Sequence, residues 1–306
     1  MNTIRLRGPA TSANVGPGYD IFAMALKEPH DEIMLELTDD NKITIEVAGN
    51  HQTIVPLKVE DNTAGLAVME FKKRYRLDTG VKITITKCMT SGCGLGTTGA
   101  SAASAVFGLN SLLGMNLSSN ELIDIARMGE VASGGSPHAD NVAAAMLGGF
   151  VLVQNYHPID VLKLEMPEFP VVLAVIQKSQ RTTRGFITYE IGQEKLKDQM
   201  ARCASVIHGI LTKDLEEFGR AVSVDHIAEP VRSAAILNYH ETKKEILNAG
   251  AYGTNVSGGG SSVFAVCEAS LQDEIAEIME RGLSPNPNFV KVIKTTTSNT
   301  GVRIIE

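Results

Sequence analysis

The sequence lacks the features by which many nucleic-acid-binding and membrane proteins are recognised. It contains no tryptophan, only 5% aromatic residues and a net charge of −7. Few side chains are therefore suited to stacking on bases, and there is no basic excess for phosphate backbones. No stretch of about 18 apolar residues is present, and a membrane-spanning helix would need one. We expect neither nucleic acid nor a membrane as a partner.

Cysteine is also scarce, and the cysteines are scattered. Cys88, Cys93, Cys203 and Cys267 form no CxxC pair, so they resemble the reduced thiols of a protein in a reducing compartment. The first 16 residues lack the apolar core of a signal peptide. We therefore expect a cytoplasmic protein.

The order of sequence patterns predicts an α+β protein of two domains. The chain has 306 residues, of which 43% are hydrophobic, and strand-like segments such as VKITIT alternate with segments of helical periodicity. Two prolines interrupt the pattern over residues 156–169, and a new apolar strand, PVVLAVI, begins at Pro170. We therefore expect an N-terminal domain over residues 1–166 and a C-terminal domain over residues 167–306.

Two sequence signals predict where helices begin. Asn62 stands directly before a segment of helical periodicity, as an N-cap residue does. Ser118 and Glu121 have the spacing of a capping box before ELIDIARMGEVA. The second signal predicts a helix that carries Glu130.

A glycine-rich loop follows the VKITIT strand and precedes a predicted helix over residues 97–113. Residues 91–104 read SGCGLGTTGASAAS. Glycines let backbone N–H groups approach a ligand, and a helix start favours an anion. The loop lacks the lysine of a Walker A motif, and it lacks the acidic ribose ligand of a dinucleotide site. On its own it fits either a phosphate site or a closely packed loop.

Two further turn-rich motifs are equally ambiguous when each is taken alone. PATSANVGPGYD at residues 9–20 marks a tight turn with polar groups at Asn14 and Asp20, as an ordinary loop also would. GTNVSGGGSSVFAV at residues 253–266 fits a hairpin turn or a close approach of backbone to a ligand.

A polar cluster at residues 126–141 also allows more than one interpretation. A metal site through His138 and Asp140 is conceivable, but no second histidine lies at ligand spacing. Mg²⁺ held by Glu130 and the phosphate oxygens of a ligand fits better. A solvated helix end followed by a capped loop would give the same residues.

Taken together and in this order, the motifs resemble those of the GHMP kinases, the superfamily of galactokinase, homoserine kinase, mevalonate kinase and phosphomevalonate kinase. The closest resemblance is to homoserine kinases, through PATSANVGPGYD, HADNVA, EPVR and the terminal strands. It implies the two-domain α+β GHMP kinase fold, with a ribosomal-S5-like N-terminal and a ferredoxin-like C-terminal domain. It also implies phosphoryl transfer from ATP, with Mg²⁺, to a small alcohol, of which L-homoserine is the first candidate. The family resemblance further implies a homodimer.

The resemblance also implies roles for individual residues. Thr98 and Glu130 would hold Mg²⁺, and with Asn141 they form the expected catalytic set. Thr11 and Asn141 stand where mevalonate and galactose kinases have a lysine and an aspartate, so catalysis would proceed without a strong general base. The expected nucleotide contacts are Asn62, Ser91, Gly92, Cys93, Gly94, Leu95, Gly96, Thr97, Thr98, Thr183, Gly258 and Gly259.

The alcohol would contact Asn14, Asp20, His138 and Arg232, with Asp20 on an ammonium group and Arg232 on a carboxylate. An arginine in EPVR would equally fit a surface salt bridge. One departure from the homoserine kinase pattern concerns this pocket. Ile187 stands where those enzymes carry a carboxylate-binding arginine, and Arg181 and Arg184 lie nearby in sequence. A kinase for another small hydroxy compound and a nucleotide-binding regulator without catalysis are therefore the alternatives.

Overall fold

A computed structural model describes residues 2–48, 55–178 and 191–306. Strands and helices alternate along the chain, as the sequence predicts. The strands are β1 Thr3–Ala13, β2 Phe22–Thr38, β3 Ile43–Ala48, β4 Gly80–Thr86, β5 Phe150–Tyr156, β6 Ile159–Leu164, β7 Pro170–Ile176, β8 Gly253–Val256, β9 Val263–Val266, β10 Phe289–Thr296 and β11 Arg303–Ile304. The helices are α1 Thr63–Tyr75, α2 Thr97–Leu112, α3 Ser119–Arg127, α4 Val131–Gly134, α5 Asp140–Leu147, α6 Gln193–Thr212, α7 Leu215–Val222, α8 Glu229–Arg232, α9 Tyr239–Asn248 and α10 Gln272–Leu283.

The described strands form two sheets. The first has the order β11-β1-β2-β4-β3, with β5 pairing with β2 and β6 pairing with β5, and the second has the order β10-β7-β9-β8. The first sheet is mostly antiparallel, but β3 runs parallel to β4. The last strand, β11, returns to the first sheet and pairs with β1. Among the described residues, no helix is both long and apolar enough to cross a membrane.

The strand β7 shows why PVVLAVI reads as a continuous apolar run. Successive residues of a strand point to opposite faces, and here both faces are covered. Alternate residues therefore enter two different cores. Val171, Leu173 and Val175 pack in the larger core, whereas Val172, Ala174 and Ile176 pack in the core of the C-terminal part.

The predicted helix caps are confirmed. The Asn62 side chain accepts hydrogen bonds from the backbone N–H groups of Ala64 and Gly65 at the start of α1. Ser118 and Glu121 form the reciprocal capping box at the start of α3. Each cap satisfies backbone donors that a helix leaves unpaired at its first turn.

The prediction that Glu130 lies on the same helix as ELIDIAR was wrong. The α-helix ends at Arg127, and Met128–Glu130 form a 3₁₀ turn before α4. A close approach to α1 occurs at this turn, where a Cβ on Gly129 would lie 2.2 Å from the carbonyl oxygen of Thr63. Glu130 is therefore held by a tight turn against the first residue of α1.

Candidate active site

The three glycine-rich or turn-rich motifs, which are far apart in the sequence, meet in the structure. Backbone hydrogen bonds join the glycine loop, the end of β1 and the β8–β9 turn pairwise. These bonds run from Thr11 N to Leu95 O (3.1 Å), from Gly258 N to Ala13 O (3.1 Å) and from Ser262 N to Cys93 O (3.2 Å). The Ser257 hydroxyl adds a hydrogen bond to the carbonyl oxygen of Gly94 at 2.8 Å. The geometry thus favours one common site over three independent turns.

Two glycines of the loop are needed for this meeting. Gly94 has φ +81, and a Cβ there would lie 2.4 Å from the carbonyl oxygen of Ser257. Gly96, at the start of α2, has φ +60, and its Cβ would lie 1.8 Å from the Thr11 hydroxyl. Both positions therefore require a residue that adopts positive φ and has no side chain.

A cavity of about 310 Å³ opens beside the loop. Its lining contains most of the residues for which the sequence predicts nucleotide or metal contacts. These lining residues are Asn62, Ser91, Gly92, Gly94, Gly96, Thr97, Thr98, Glu130, Gly258 and Gly259, and His138 and Asn141 of the polar cluster join them. The helix start of α2, with its unpaired N–H groups, faces the same cavity and suits an anion.

The side chains of Cys93 and Leu95 do not line the cavity. Their side chains are buried in the core, at 0% and 1% exposure, and the Cys93 thiol donates to the carbonyl oxygen of Thr90. Burial raises the pKa of the Cys93 thiol to about 11.

Thr98 and Glu130 lie together on the wall of the cavity. The Thr98 hydroxyl is 3.3 Å from Glu130 Oε2, and both residues are part of the lining. A hydroxyl beside a carboxylate is an oxygen donor set of the kind that Mg²⁺ prefers. No group of three or more His, Cys, Asp or Glu side chains that could hold a metal occurs among the described residues, so any ion here would need oxygens from a bound phosphate.

The alternative metal site through His138 and Asp140 has no support in the geometry. Asp140 is fully buried at the start of α5, and its Oδ1 accepts hydrogen bonds from the backbone N–H and the side-chain amide of Asn141 at 2.7 and 3.3 Å. Asp140 therefore orients the neighbouring amide.

Asn141 contacts the glycine loop from the opposite side. The Thr11 hydroxyl donates to Asn141 Oδ1 at 2.8 Å in a buried contact, and a Cβ on Gly96 would lie 2.6 Å from the same oxygen. Gly99 lies just behind, where an added Cβ would meet Asn141 Cβ at 3.1 Å. The glycine in the first turn of α2 thus gives α5 room to bring Asn141 against the loop.

A buried ion pair beneath the loop was missed by the sequence reasoning. Lys87, just after β4, is 8% exposed and Asp31, on β2, is 1% exposed, and their charged groups are 2.5 Å apart. The Lys87 ammonium also contacts the Thr97 hydroxyl and lies 3.2 Å from the Ser101 hydroxyl. Lys87 is part of the cavity lining.

Both oxygens of Asp31 have assigned donors. Oδ2 accepts from Lys87 and from the Thr97 hydroxyl, the latter at 2.7 Å, while Oδ1 accepts the backbone N–H groups of Cys88 and Met89 at 2.8 and 2.9 Å. A buried charge that is paired and fully hydrogen-bonded avoids the large cost of desolvation. The pair therefore anchors the first residue of α2 to the first sheet. Of the two loop threonines, only Thr98 has its hydroxyl placed toward Glu130.

Asn14 and Asp20 are not part of the cavity lining, but they lie close to His138, which is. Asn14 has φ +67, its Oδ1 accepts the backbone N–H of Asp20 at 3.1 Å, and its amide donates to the carbonyl oxygen of Gly258 at 3.1 Å. His138 Nδ1 lies 3.8 Å from Asp20 Oδ1. Asn14 therefore shapes the turn that carries Asp20, and it ties this turn to the β8–β9 loop.

Arg232 joins the same group and is not a surface residue. It is 8% exposed, its guanidinium donates to the carbonyl oxygen of Gly258, and its Cζ lies 5.5 Å from the centre of the Tyr19 ring. Gly258 O thus accepts from both Asn14 and Arg232. The alternative of a solvent-exposed salt bridge is ruled out by this burial.

Of the two predicted nucleotide contacts Asn62 and Thr183, only Asn62 lies among the described residues. Asn62 lines the cavity, but its Oδ1 caps α1 and its amide donates to the carbonyl oxygen of Pro56 at 2.7 Å. Thr183, Arg181, Arg184 and Ile187 lie outside the described residues.

Comparison with known proteins agrees with this arrangement. The model of the GHMP kinases N-terminal domain matches residues 62–149, and that of the GHMP kinases C-terminal domain matches residues 206–284. A homoserine kinase of Methanococcus vannielii is 37% identical over 87% of this chain and 88% of its own length. One from Methanocella arvoryzae is 34% identical over 100% of this chain and 98% of its own.

A solved structure extends the comparison to the whole fold. The crystal structure of a homoserine kinase from Cytophaga hutchinsonii covers 100% of this chain and 98% of its own, with a TM-score of 0.90 and 32% sequence identity. The chain therefore has the two-domain α+β fold that the motifs imply.

Proposed function

The chain belongs to the GHMP kinase family, and we propose that it transfers the γ-phosphoryl group of ATP to the side-chain hydroxyl of L-homoserine. The observation that carries this proposal is the meeting of three motifs around one cavity, with Thr98 and Glu130 on one wall and Asn141 against the loop. The homoserine kinases similar to this chain over nearly its full length support the choice of alcohol.

The glycine loop and the start of α2 are the proposed cradle for the triphosphate. Backbone N–H groups and the positive end of α2 would neutralise phosphate charge, which is what phosphoryl transfer mainly requires. Ser91, Gly92, Gly94, Gly96, Thr97, Thr98, Gly258 and Gly259 line this part. We propose that the backbone of Cys93 and Leu95 contacts the triphosphate and that Asn62 lies beside the adenine. The proposed nucleotide contact of Thr183 rests on the sequence alone.

We propose that Thr98 and Glu130 hold Mg²⁺ together with phosphate oxygens. Their oxygen atoms fit this ion by chemistry and by proximity, at 3.3 Å from each other. The bound ion would neutralise charge on the phosphates. The protein's part is to keep the Thr98 hydroxyl, on α2, beside the Glu130 carboxylate, on the 3₁₀ turn.

The transfer itself needs no strong base from this chain. The homoserine oxygen forms a bond to the γ-phosphorus, the bond from that phosphorus to the bridging oxygen breaks, and ADP leaves with the electron pair. Asn141 would accept or orient the hydroxyl through its amide, which Thr11 and Asp140 hold in place. An amide does not take up a proton, so the hydroxyl proton passes to a phosphate oxygen or to water.

The alcohol pocket is proposed between the turn after β1 and α8. Asp20 would bind the ammonium group of homoserine, and Arg232 its carboxylate, because these are the pairings that charge and geometry favour. His138, near Asp20, and Asn14, which shapes the turn, complete the set.

One sequence feature favours a second candidate substrate class. Ile187 stands at the position where homoserine kinases carry a second arginine for the carboxylate, and an apolar side chain offers no donors. A kinase for another small hydroxy compound, such as threonine, a polyol or a hydroxy acid, is therefore the alternative. Arg181 and Arg184 are the candidates to supply the missing charge.

An ADP-release assay over a panel of alcohols tests the proposal. We expect turnover with L-homoserine and Mg-ATP, and lower kcat/KM for L-threonine, polyols and simple hydroxy acids. Absence of turnover at millimolar homoserine, with another alcohol phosphorylated, would establish the second candidate. ATP binding without turnover on any alcohol would instead indicate a regulator.

An Ile187→Arg variant separates the two kinase candidates further. If the missing arginine limits homoserine binding, the variant lowers the KM for homoserine and leaves the KM for ATP unchanged. No gain would mean that position 187 does not discriminate between alcohols.

We also propose that the domain boundary lies at residues 166/167, that the protein is a homodimer and that it is cytoplasmic. The boundary falls between β6 and β7, where the chain passes from the first sheet to the second. Light scattering at several concentrations would test the dimer.

A further inference from the structure

The two walls of the proposed alcohol pocket are connected by a buried glutamine that does not line the cavity. Gln199 lies on α6 and is 3% exposed. Its amide donates to the carbonyl oxygen of Pro17 at 2.7 Å and to Asp225 Oδ1 at 3.1 Å. Its Oε1 accepts the backbone N–H of His226 at 2.7 Å. A single side chain thus contacts the turn that carries Asn14 and Asp20, and the loop that leads into α8.

Asp225 continues this connection toward Arg232. It is 6% exposed, its Oδ1 accepts the backbone N–H groups of Ile227 and Ala228 at 2.8 and 3.0 Å, and its Oδ2 accepts that of Glu229 at 3.0 Å. The N–H of Glu229 is a donor that the start of α8 leaves unpaired, while Ala228 is the N-cap residue and Ile227 lies in the loop just before the helix. The orientation of the loop and of the first turn of α8 is therefore set by Asp225.

The helix α8 depends on such outside contacts because it has only four residues. One turn of helix is not stable in isolation. Besides the contacts with Asp225, α8 is held through Glu229, its first residue. Glu229 Oε1 accepts hydrogen bonds from the Tyr239 hydroxyl at 2.6 Å and from the Lys243 ammonium at 2.5 Å. Arg232 is the last residue of this turn, so a shift at its start moves the guanidinium.

We propose that Gln199 and Asp225 act as a pair of positioning residues that sets the spacing between the Asp20 turn and Arg232. The proposal rests on the proposed function, since it assigns these two walls to the two charged ends of the alcohol. Gln199 suits this role because its amide donates to Pro17 and Asp225 while its oxygen accepts from the loop. A glutamate would place a second negative charge beside Asp225, and a leucine would leave the buried carboxylate and carbonyl without this donor.

The test compares Gln199→Leu with a matched change at Asn286. Asn286 is also a buried amide, at 5% exposure, and it makes three hydrogen bonds to the backbone of Leu237 and Leu283. Both variants lose an interior amide, but only Gln199 contacts the turn after β1. KM and kcat are measured for homoserine and for ATP, and thermal unfolding is recorded for each protein.

We expect Gln199→Leu to raise the KM for homoserine about tenfold, which corresponds to about 1.4 kcal/mol of binding free energy, because buried hydrogen bonds are lost. Its KM for ATP should stay within about twofold of wild type, because the Asp31–Lys87 pair that anchors the glycine loop and the start of α2 contacts neither Gln199 nor Asp225. Asn286→Leu should lower the Tm without separating the two KM values. If Gln199→Leu does not fold, Asp225→Asn takes its place, with a smaller rise in the homoserine KM expected.

The outcomes separate this proposal from the proposed function. A wild-type protein without turnover on homoserine overturns the substrate assignment. A wild-type protein that is active, with folded Gln199 and Asp225 variants that change neither KM or change both equally, overturns the positioning role alone. An equal rise in the homoserine KM for Asn286→Leu would also overturn it.

Discussion

The proposed phosphate side and the proposed alcohol side of the site are built in different ways. The phosphate side rests on a buried ion pair and hydroxyls, Asp31 with Lys87, Thr97 and Ser101, which all belong to the N-terminal half of the chain. The alcohol side is assembled from distant parts of the chain, with Asn14 and Arg232 meeting at the carbonyl oxygen of Gly258. The ion pair beneath the glycine loop is thus fixed within one half of the chain, whereas the contacts of Asn14 and Arg232 with Gly258 depend on how the two halves dock.

This difference indicates where the enzyme's substrate choice is easiest to change. A fixed cradle suits a triphosphate whose chemistry is the same for all kinases of the family. An alcohol pocket formed between elements changes when any connecting loop changes. Substitutions on the first side should therefore alter catalysis or stability, and those on the second should alter the alcohol KM.

The largest effect on activity is expected for Glu130→Ala on the phosphate side. Removing the carboxylate beside Thr98 should lower kcat by about 10²–10³-fold, the usual effect of deleting one group that stabilises transition-state charge. Glu121→Ala is the control, because Glu121 is an exposed capping-box residue of the same region. The two variants are compared by ADP release across Mg²⁺ concentrations. Equal rates for Glu130→Ala and wild type would remove Glu130 from the site.

The largest effect on stability is expected for Lys87→Met. It leaves Asp31 buried without its counter-ion, which should cost about 3–5 kcal/mol in the free energy of unfolding. Lys82→Met is the matched control on β4, since its ion pair with Glu46 is partly exposed and should be worth at most about 1 kcal/mol. Denaturant titration measures both. A loss no larger than that of the control would show that the buried pair does not anchor the loop.

A smaller effect is expected at the border between the two sides, for Thr11→Val. The variant removes the hydroxyl that donates to Asn141 Oδ1, a loss of about 1–3 kcal/mol if it falls on the transition state, or roughly tenfold in kcat. Thr11→Ser keeps the hydroxyl and should retain most of the rate. Steady-state kinetics on both variants measure kcat. A decrease in kcat of similar size in Thr11→Ser would mean that the packing of the side chain matters and the hydrogen bond to Asn141 does not.

The smallest effect is expected for Cys93→Ser. The side chain faces the core, and a serine hydroxyl replaces the thiol as the donor to Thr90 O, so stability should change by less than about 1 kcal/mol and kcat by less than about twofold. Because the pKa of the Cys93 thiol is raised to about 11, the thiol stays neutral below that pH and should not alter the pH profile between pH 7 and 9. A thiol-dependent step in that profile, lost in Cys93→Ser, would contradict the burial.

The sequence predicted the fold class, the helix caps and the three motifs because each has a local signal. Spacing of glycines, cap residues and apolar positions is readable within about ten residues. The Asp31–Lys87 pair joins residues 56 positions apart, and Gln199 and Asp225 are 26 apart. Neither contact has a local pattern, so both were missed. Glu130 was predicted on an α-helix and lies on a 3₁₀ turn, because the close approach at Gly129 depends on α1.

A crystal structure with L-homoserine and a non-hydrolysable ATP analogue tests the central claim most directly. The account predicts the triphosphate on the loop over residues 91–98, the homoserine ammonium at Asp20, its carboxylate at Arg232 and its hydroxyl beside Asn141. A homoserine molecule bound elsewhere, or a triphosphate away from Thr98 and Glu130, would contradict it.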